Sequence, residues 1–227
     1  MLIDSHRITA QDRKHWGAIS VMDKVRPVEM IAAAARKSIT EFAHRKCCCT
    51  VSWGKDSIVI AHLVATSGVS VPLYFVRTHR VNPDCDAVRD AFLAEHKIEY
   101  HEIVEPVESW PHWGFGLKLI PFDRSIHGVR AAESSERKLS ACVHGVATEN
   151  KCRPILRWKT EDVFAYIEQR GLPLHPAYAC TGGGRWDRNR IRVGTLGGER
   201  GNGIGREQFE REYYGDVLSR LAAVRLA

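Results

Sequence analysis

The chain has 227 residues, of which 44% are hydrophobic and 26% charged. That is long enough to bury a core without disulfides or a structural metal, and too ordinary in composition for a disordered or fibrous protein. No run of about 18 apolar residues occurs and Met1 to Lys14 is polar, so neither a membrane span nor a signal peptide is supported and the expected compartment is the cytoplasm. A net charge of +6 with eleven histidines suits a polyanionic substrate or a nucleic acid.

Residues 1–26 show no clear period and are expected as a loosely attached arm or a short helix. From Pro27 to Arg45 the apolar positions Val28, Ile31, Ala35, Ile39 and Phe42 recur three or four apart, which predicts an amphipathic helix. A β-prone run, Cys47 to Val51, leads into the polar turn Ser52-Trp53-Gly54-Lys55-Asp56-Ser57, and an apolar helical segment follows over 58–65. Val69 to Val76 and Ile98 to Val104 read as the next strands, with a helix between them opened by Asn82-Pro83 and running to about Lys97. Strand, helix, strand, helix, strand at this spacing predicts a parallel α/β sheet with right-handed crossovers.

Residues 105–121, rich in tryptophan, histidine, proline and glycine, predict a loop or lid, and 122–129 a further strand. The charged run after it, through Lys138, looks unsuited to a core. Residues 153–156 suggest a short extended stretch. Thr160 is the expected N-cap of a helix with Val163, Phe164 and Ile167 on its buried face, stopped at Gly171. Residues 182–206 hold nine glycines and six arginines against two acids, which predicts a basic flexible segment instead of a packed element. A last helix is expected over 206–226.

The turn at 52–57 carries the chemistry. Gly54 lets a ligand approach the backbone, Ser52 and Ser57 offer hydroxyl donors, the helix start offers free N–H groups and a favourable dipole, and Lys55 adds a cation. The spacing is not that of a Walker A loop. The seven cysteines, Cys47, Cys48, Cys49, Cys85, Cys142, Cys152 and Cys180, contain no C-x-x-C pair. They read as buried apolar groups or single thiols, and no iron–sulfur cluster is expected, because a strand over 47–49 turns successive thiols to opposite faces.

Residues 52–57 resemble the PP-loop of the N-type ATP pyrophosphatases, Ser-Gly-Gly-x-Asp-Ser, with Trp53 in the first glycine's place, a slot where sulfate-adenylylating members also carry a larger residue. Gly128-x-Arg130-x-x-Glu133-Ser134-x-x-Arg137 resembles the G-x-R-x-x-E-S-x-x-R segment of the phosphoadenosine phosphosulfate (PAPS) reductase family. Arg153-Pro154 through Trp158, then Gly171-x-Pro173-x-x-Pro176-x-Tyr178, is similar to a third segment of that family. The three matches span roughly residues 47–178. They imply a three-layer, doubly wound, mainly parallel α/β fold of the adenine nucleotide alpha hydrolase-like kind. Residues 27–178 would form the nucleotide-binding domain, 1–26 an arm, and 179–227 a basic segment and helix packed on the same domain.

The implied ligand is ATP, or PAPS as substrate, with Mg²⁺. The nucleotide would lie on Ser52, Trp53, Gly54, Lys55, Asp56, Ser57, Gly128 and Arg130, with Lys55, Asp56, Arg130 and Arg137 as the catalytic set and Asp56 as the metal ligand. Guanidinium forks suit Arg130 and Arg137 to clamping phosphate or sulfate, although pairing with Glu133 and Glu136 on a solvated helix end is the alternative. Glu133, Ser134, Arg153, Arg185, Arg188 and Arg190 are candidates to hold the second substrate. Trp158 and Tyr166 read as core. Reductases of the family use a cysteine in a Glu-Cys-Gly-Leu-His motif, which is not found here, and tend to lose the loop lysine, which is kept. ATP cleavage between the α and β phosphates is therefore favoured, in sulfur metabolism or in sulfur modification of a nucleic acid. A PAPS reductase with an unusual thiol and a non-catalytic nucleotide sensor are the alternatives. Besides an adenine nucleotide, a nucleic acid, a sulfur-carrier protein and a second copy of the chain are the partners left open, and no membrane is expected.

Overall fold

The computed structural model describes residues 1–105, 116–197 and 205–225. Five parallel strands form one sheet in the order β3-β2-β1-β4-β5: β1 (Cys48–Val51), β2 (Leu73–Arg77), β3 (Tyr100–Val104), β4 (Ser125–Ile126) and β5 (Lys151–Cys152). The register is set by pairs such as Thr50 with Tyr74 and Cys49 with Ile126. The chain builds outward from β1 in one direction through β2 and β3, then crosses to β4 and β5 on the other side of β1. The order reverses between β1 and β4, where open α/β sheets leave a crevice at the strands' carboxyl ends.

Helix α3 (Lys55–Ala65) is the centre of the core. Ile58, Val59, Ile60, Ala61, Leu63 and Val64 are all buried, so the helix is apolar on nearly every side and is enclosed by β1, α2 (Glu29–Phe42) and α6 (Thr160–Gln169). Between β2 and β3, α4 (Asp84–Glu95) starts where predicted, with the Asn82 side chain accepting from Asp84 N–H at 3.0 Å. Trp158 and Tyr166 are core residues, as read from the sequence.

Several sequence expectations are corrected. The opening segment is neither a loose arm nor a short helix: the 16-residue α1 (Ala10–Val25) packs on α6, with Trp16 edge-on to Phe164. The buried Asp12 ties it to the rest of the chain, accepting from Thr181 N–H at 2.9 Å and from the Tyr213 hydroxyl at 3.1 Å. Residues 153–156 are a turn, not extended. The cap of α6 is Lys159, whose N–H donates to the Asp162 carboxylate at 2.7 Å, so Thr160 is the first helical residue. The charged run past Gly128 opens a ten-residue helix missed in the sequence, α5 (Ser135–His144), capped by Ser134. The strand expected over 122–129 shrinks to the two residues of β4.

The basic segment is packed through much of its described part. Ile191, Val193 and Leu196 are buried, Asn82 N–H donates to Gly194 O at 3.1 Å, and Leu196 N–H donates to Arg80 O at 2.9 Å. An alternating apolar pattern inside an arginine-rich sequence explains both its charge and its order. Residues 198–204, like most of the loop predicted over 105–121, lie outside the described residues. Helix α7 (Arg206–Arg225) follows, interrupted by non-helical backbone angles at Tyr214. No helix among the described residues is long and apolar enough to cross a membrane.

Candidate active site

A cleft of about 1340 Å³ opens at the switch point. Its floor is the turn between β1 and α3. Gly54 is the N-cap of α3 and supplies no side-chain cap, so the first-turn N–H groups of Asp56 and Ser57, residues that line the cleft, have no intrahelical acceptor at the positive end of an 11-residue helix. Lys55 N–H is different, since the buried Tyr178 hydroxyl accepts from it at 3.1 Å. Burial, then the charge of Asp56, pushes the Tyr178 phenol far up, so it is neutral and can play this part. Ser57 Oγ donates to Gly54 O at 3.1 Å.

Gly128, two residues past β4, touches this turn. A β-carbon there would sit 2.9 Å from Asp56 O and 3.0 Å from its carbonyl carbon, so only glycine lets the two loops close. Trp53 occupies the family's glycine position with a left-handed backbone, φ 57°, which costs on the order of 1 kcal/mol in a residue with a side chain. Burial of the indole, 1% exposed among Phe75, Phe92 and Tyr100, offsets that cost.

Charge at the floor is organised around Asp56. Its Oδ1 accepts from Arg130 Nε at 2.6 Å and its Oδ2 from Lys55 Nζ at 2.7 Å. Lys55 is 4% exposed and Arg130 1%. Arg130 Nη1 donates to Thr160 Oγ1 at 3.1 Å and reaches Trp158 O at 3.4 Å. Arg130 is thus a brace joining the Gly128 loop, α3 and α6, which corrects its reading as a phosphate clamp. Asp56 does not fit as a magnesium ligand, because each of its oxygens already holds a cation. No group of three or more metal-binding side chains exists among the described residues.

The facing wall comes from the start of α5 and from residues 189–195. Glu133 Oε2 accepts from Arg130 N–H at 3.0 Å and from Arg137, and Glu133 Oε1 lies 3.5 Å from Arg192 Nη1. Arg190 also lines the cleft. Deeper in, His127 is hydrogen-bonded through Nδ1 to Thr50 Oγ1 at 2.8 Å and through Nε2 to Ser125 Oγ at 2.7 Å. Burial, with Lys151 and Arg153 nearby, pushes His127 down to about 4, so it is neutral.

The cleft therefore brings together Ser52, Gly54, Lys55, Asp56, Ser57, Gly128, Arg130, Glu133, Arg137 and Arg190 among the sequence candidates. It does not include the others. Trp53 packs into the core, Ser134 caps α5, and Arg153 donates to Ser140 Oγ at 3.1 Å. Arg185 pairs with Glu212, and Arg188 pairs with Asp23 at 2.8 Å while lying over Phe164. Tyr178, Thr160, Thr50, His127 and Arg192 were not anticipated as site residues. Tyr178 stood inside a quoted motif and could have been found; the other four carry no local signal.

The phosphoadenosine phosphosulfate reductase domain model matches residues 116–188, the stretch from the crossover through the Gly128 loop and α6. Over that stretch the chain is similar to the PAPS reductase domain. A phosphoadenosine 5′-phosphosulfate reductase of Xylella fastidiosa is 22% identical over 172 residues, 64% of this chain and 69% of that protein. An adenosine 5′-phosphosulfate reductase of Mesorhizobium japonicum is 22% identical over 188 residues, 73% of this chain and 72% of that protein. The crystal structure of a phosphoadenylyl-sulfate reductase from Candida auris in complex with phosphate superposes with a TM-score of 0.52 at 15% identity, covering 73% of this chain and 89% of that one, a likeness of fold.

Proposed function

We propose that this protein binds an adenine nucleotide at the switch-point cleft and cleaves ATP between its α and β phosphates. An acceptor oxygen bonds to Pα, the Pα–O bond to the β phosphate breaks, and the electron pair leaves with pyrophosphate. The Asp56 and Ser57 N–H groups and the Ser52 and Ser57 hydroxyls are suited to the departing pyrophosphate, Lys55 to its charge, and Asp56 to keeping Lys55 in place. Magnesium enters this reading with the triphosphate, as part of the substrate. Rate enhancement comes from positioning and from fixed donors aimed at developing charge.

The observation that carries the reading is Lys55 itself, buried at an uncapped helix start in a cleft to which no cysteine contributes. All seven cysteines are among the described residues; six are buried and the exposed Cys142 stands on α5. Cys85 packs against the turn, its Sγ 3.8 Å from Ser52 O, and burial pushes its thiol far up, the opposite of an activated nucleophile.

Reduction of an adenylyl sulfate is the second reading, favoured by the names of the Xylella and Mesorhizobium relatives. It requires a thiolate to attack the sulfate sulfur. Pyrophosphate release from MgATP, with and without sulfate or DNA, on the wild type and Lys55→Ala decides between them. Release that is lost in Lys55→Ala supports ATP cleavage. No release, with thiol-dependent sulfite formed from PAPS or adenosine phosphosulfate, overturns it in favour of reduction.

A further inference from the structure

A second cavity, of about 450 Å³, opens at the other end of the sheet, among the segments that lead into β1, β4 and β5. Its buried cation is Arg124, 8% exposed, which immediately precedes β4. Buried charges are ordinarily paired, yet Arg124 forms no ion pair among the described residues. Its Nε donates to Glu149 O at 2.9 Å and its Nη1 to Arg45 O at 3.2 Å, and the guanidinium lies 4.0 Å from the centre of the Phe42 ring. Nη2 donates to no protein atom among the described residues and is not one of the buried unpartnered groups, so it opens into the cavity that the side chain lines. The surrounding walls are mixed. Phe42, Val146 and Ala147 supply apolar surface, and Arg45, exposed and without an ion pair among the described residues, adds a second guanidinium. The carboxylates of Glu41 and Glu149 also border the cavity; both residues are exposed, and Glu41 stands 3.8 Å from Lys37.

We infer that this cavity is a binding site for a small organic anion, with an oxyanion head group on the free edge of the Arg124 guanidinium and an apolar body against Phe42, Val146 and Ala147. Its volume is that of a small-ligand pocket, and apolar walls with one well-placed charged group are what such pockets present. Because Nε and Nη1 are held by backbone carbonyls, the guanidinium is fixed before the ligand arrives, and the ligand supplies the counter-charge that the fold leaves out. Tying two loop ends together requires only donors, which an amide side chain supplies without burying a charge. The site shares no lining residue with the switch-point cleft, so the inference does not rest on the nucleotide reading of that cleft.

The test is a titration of the ¹⁵N-labelled protein with benzoate, with phenyl phosphate and with benzamide, the neutral counterpart of benzoate, followed by the backbone amide and arginine Nε–H resonances. At least one of the two anions is expected to bind saturably and roughly tenfold more tightly than benzamide, with shifts gathered at residues 38–45, 124 and 146–149. The tighter anion identifies the head group. Arg124→Lys keeps the charge and loses the fork, and Ala147→Glu sets a fixed carboxylate beside the ligand; each is expected to weaken binding roughly tenfold, and Arg45→Gln by less. Should Arg124→Lys fail to fold, Ala147→Glu and Arg45→Gln, both at exposed positions, decide alone. No saturable shift with either anion overturns the inference. So do benzamide binding as tightly as both anions, shifts confined to residues of the switch-point cleft, and affinities unchanged in every variant that folds.

Discussion

The turn over 52–57 is held by contacts that tolerate no adjustment, while the wall facing it is held by ion pairs that rearrange easily. At the turn, Gly128 leaves no room for a β-carbon against the Asp56 backbone, Tyr178 caps a buried N–H, and Trp53 is locked into the core. Close packing of this kind registers shifts of a few tenths of an ångström. On the facing wall Arg137 and Arg192, both more than a third exposed, pair with Glu133. Each such pair contributes about 0–1 kcal/mol. A cleft with one rigid and one adaptable wall keeps the reacting phosphate group fixed while the rest of the substrate is selected by charge.

Substitutions at the rigid wall sharpen this contrast by their cost to stability. Arg130→Met has the largest expected effect. It leaves Asp56 with Lys55 as its one charged partner and removes the link to α6, and breaking a buried pair from one side costs about 3–5 kcal/mol. A urea midpoint unchanged from wild type would show that Arg130 is not the brace described. Gly128→Ala follows, at about 1–3 kcal/mol, because the added methyl meets backbone and not a movable side chain. The same measurement checks it, and a neutral result would mean that the two loops separate without penalty. Tyr178→Phe is smaller, about 1 kcal/mol, since it removes the acceptor of one buried N–H and keeps the ring. It is expected to slow turnover as well, because the start of α3 loses a fixed point. Normal kinetics with lowered stability would confine Tyr178 to a packing role.

The same contrast explains what was legible in the sequence. Strands β1 to β3 and helices α2 to α4 followed from periodicity and turn residues, because their stabilising contacts are local in pattern. The turn at 52–57 was legible because a strand, a polar turn and an apolar helix adjoin in sequence. Its supports were not: Tyr178 lies 123 residues from Lys55, and Arg130 lies 74 from Asp56. A sequence shows an arginine as a charge without showing whether it faces solvent, so Arg130 read as a clamp and Arg188 as a ligand, although one is a buried brace and the other a strut on Asp23. The register Cys48 with Ser125 brings His127 beside Thr50, a juxtaposition fixed by the crossover and by no local signal. Helix α5 was missed for a related reason. Its short apolar stripe, Leu139, Cys142 and Val143, follows a charged first turn and stays exposed, so the charge outweighed the periodicity.

Arg137→Gln is the smallest perturbation of the fold and the sharpest test of the adaptable wall. Its partner Glu133 keeps Arg192 and the Arg130 N–H, so stability is expected to change by about 0–1 kcal/mol. If the wall acts in recognition, substrate affinity falls while the urea midpoint stays, and raising the salt concentration narrows the difference between variant and wild type, because screening weakens the exposed cation that the variant lacks. Stability and affinity falling together, in the proportion seen for Gly128→Ala, would mean that the two walls are one mechanical unit. The division between a rigid floor that fixes the phosphates and a charged rim that chooses the substrate would then have to be given up.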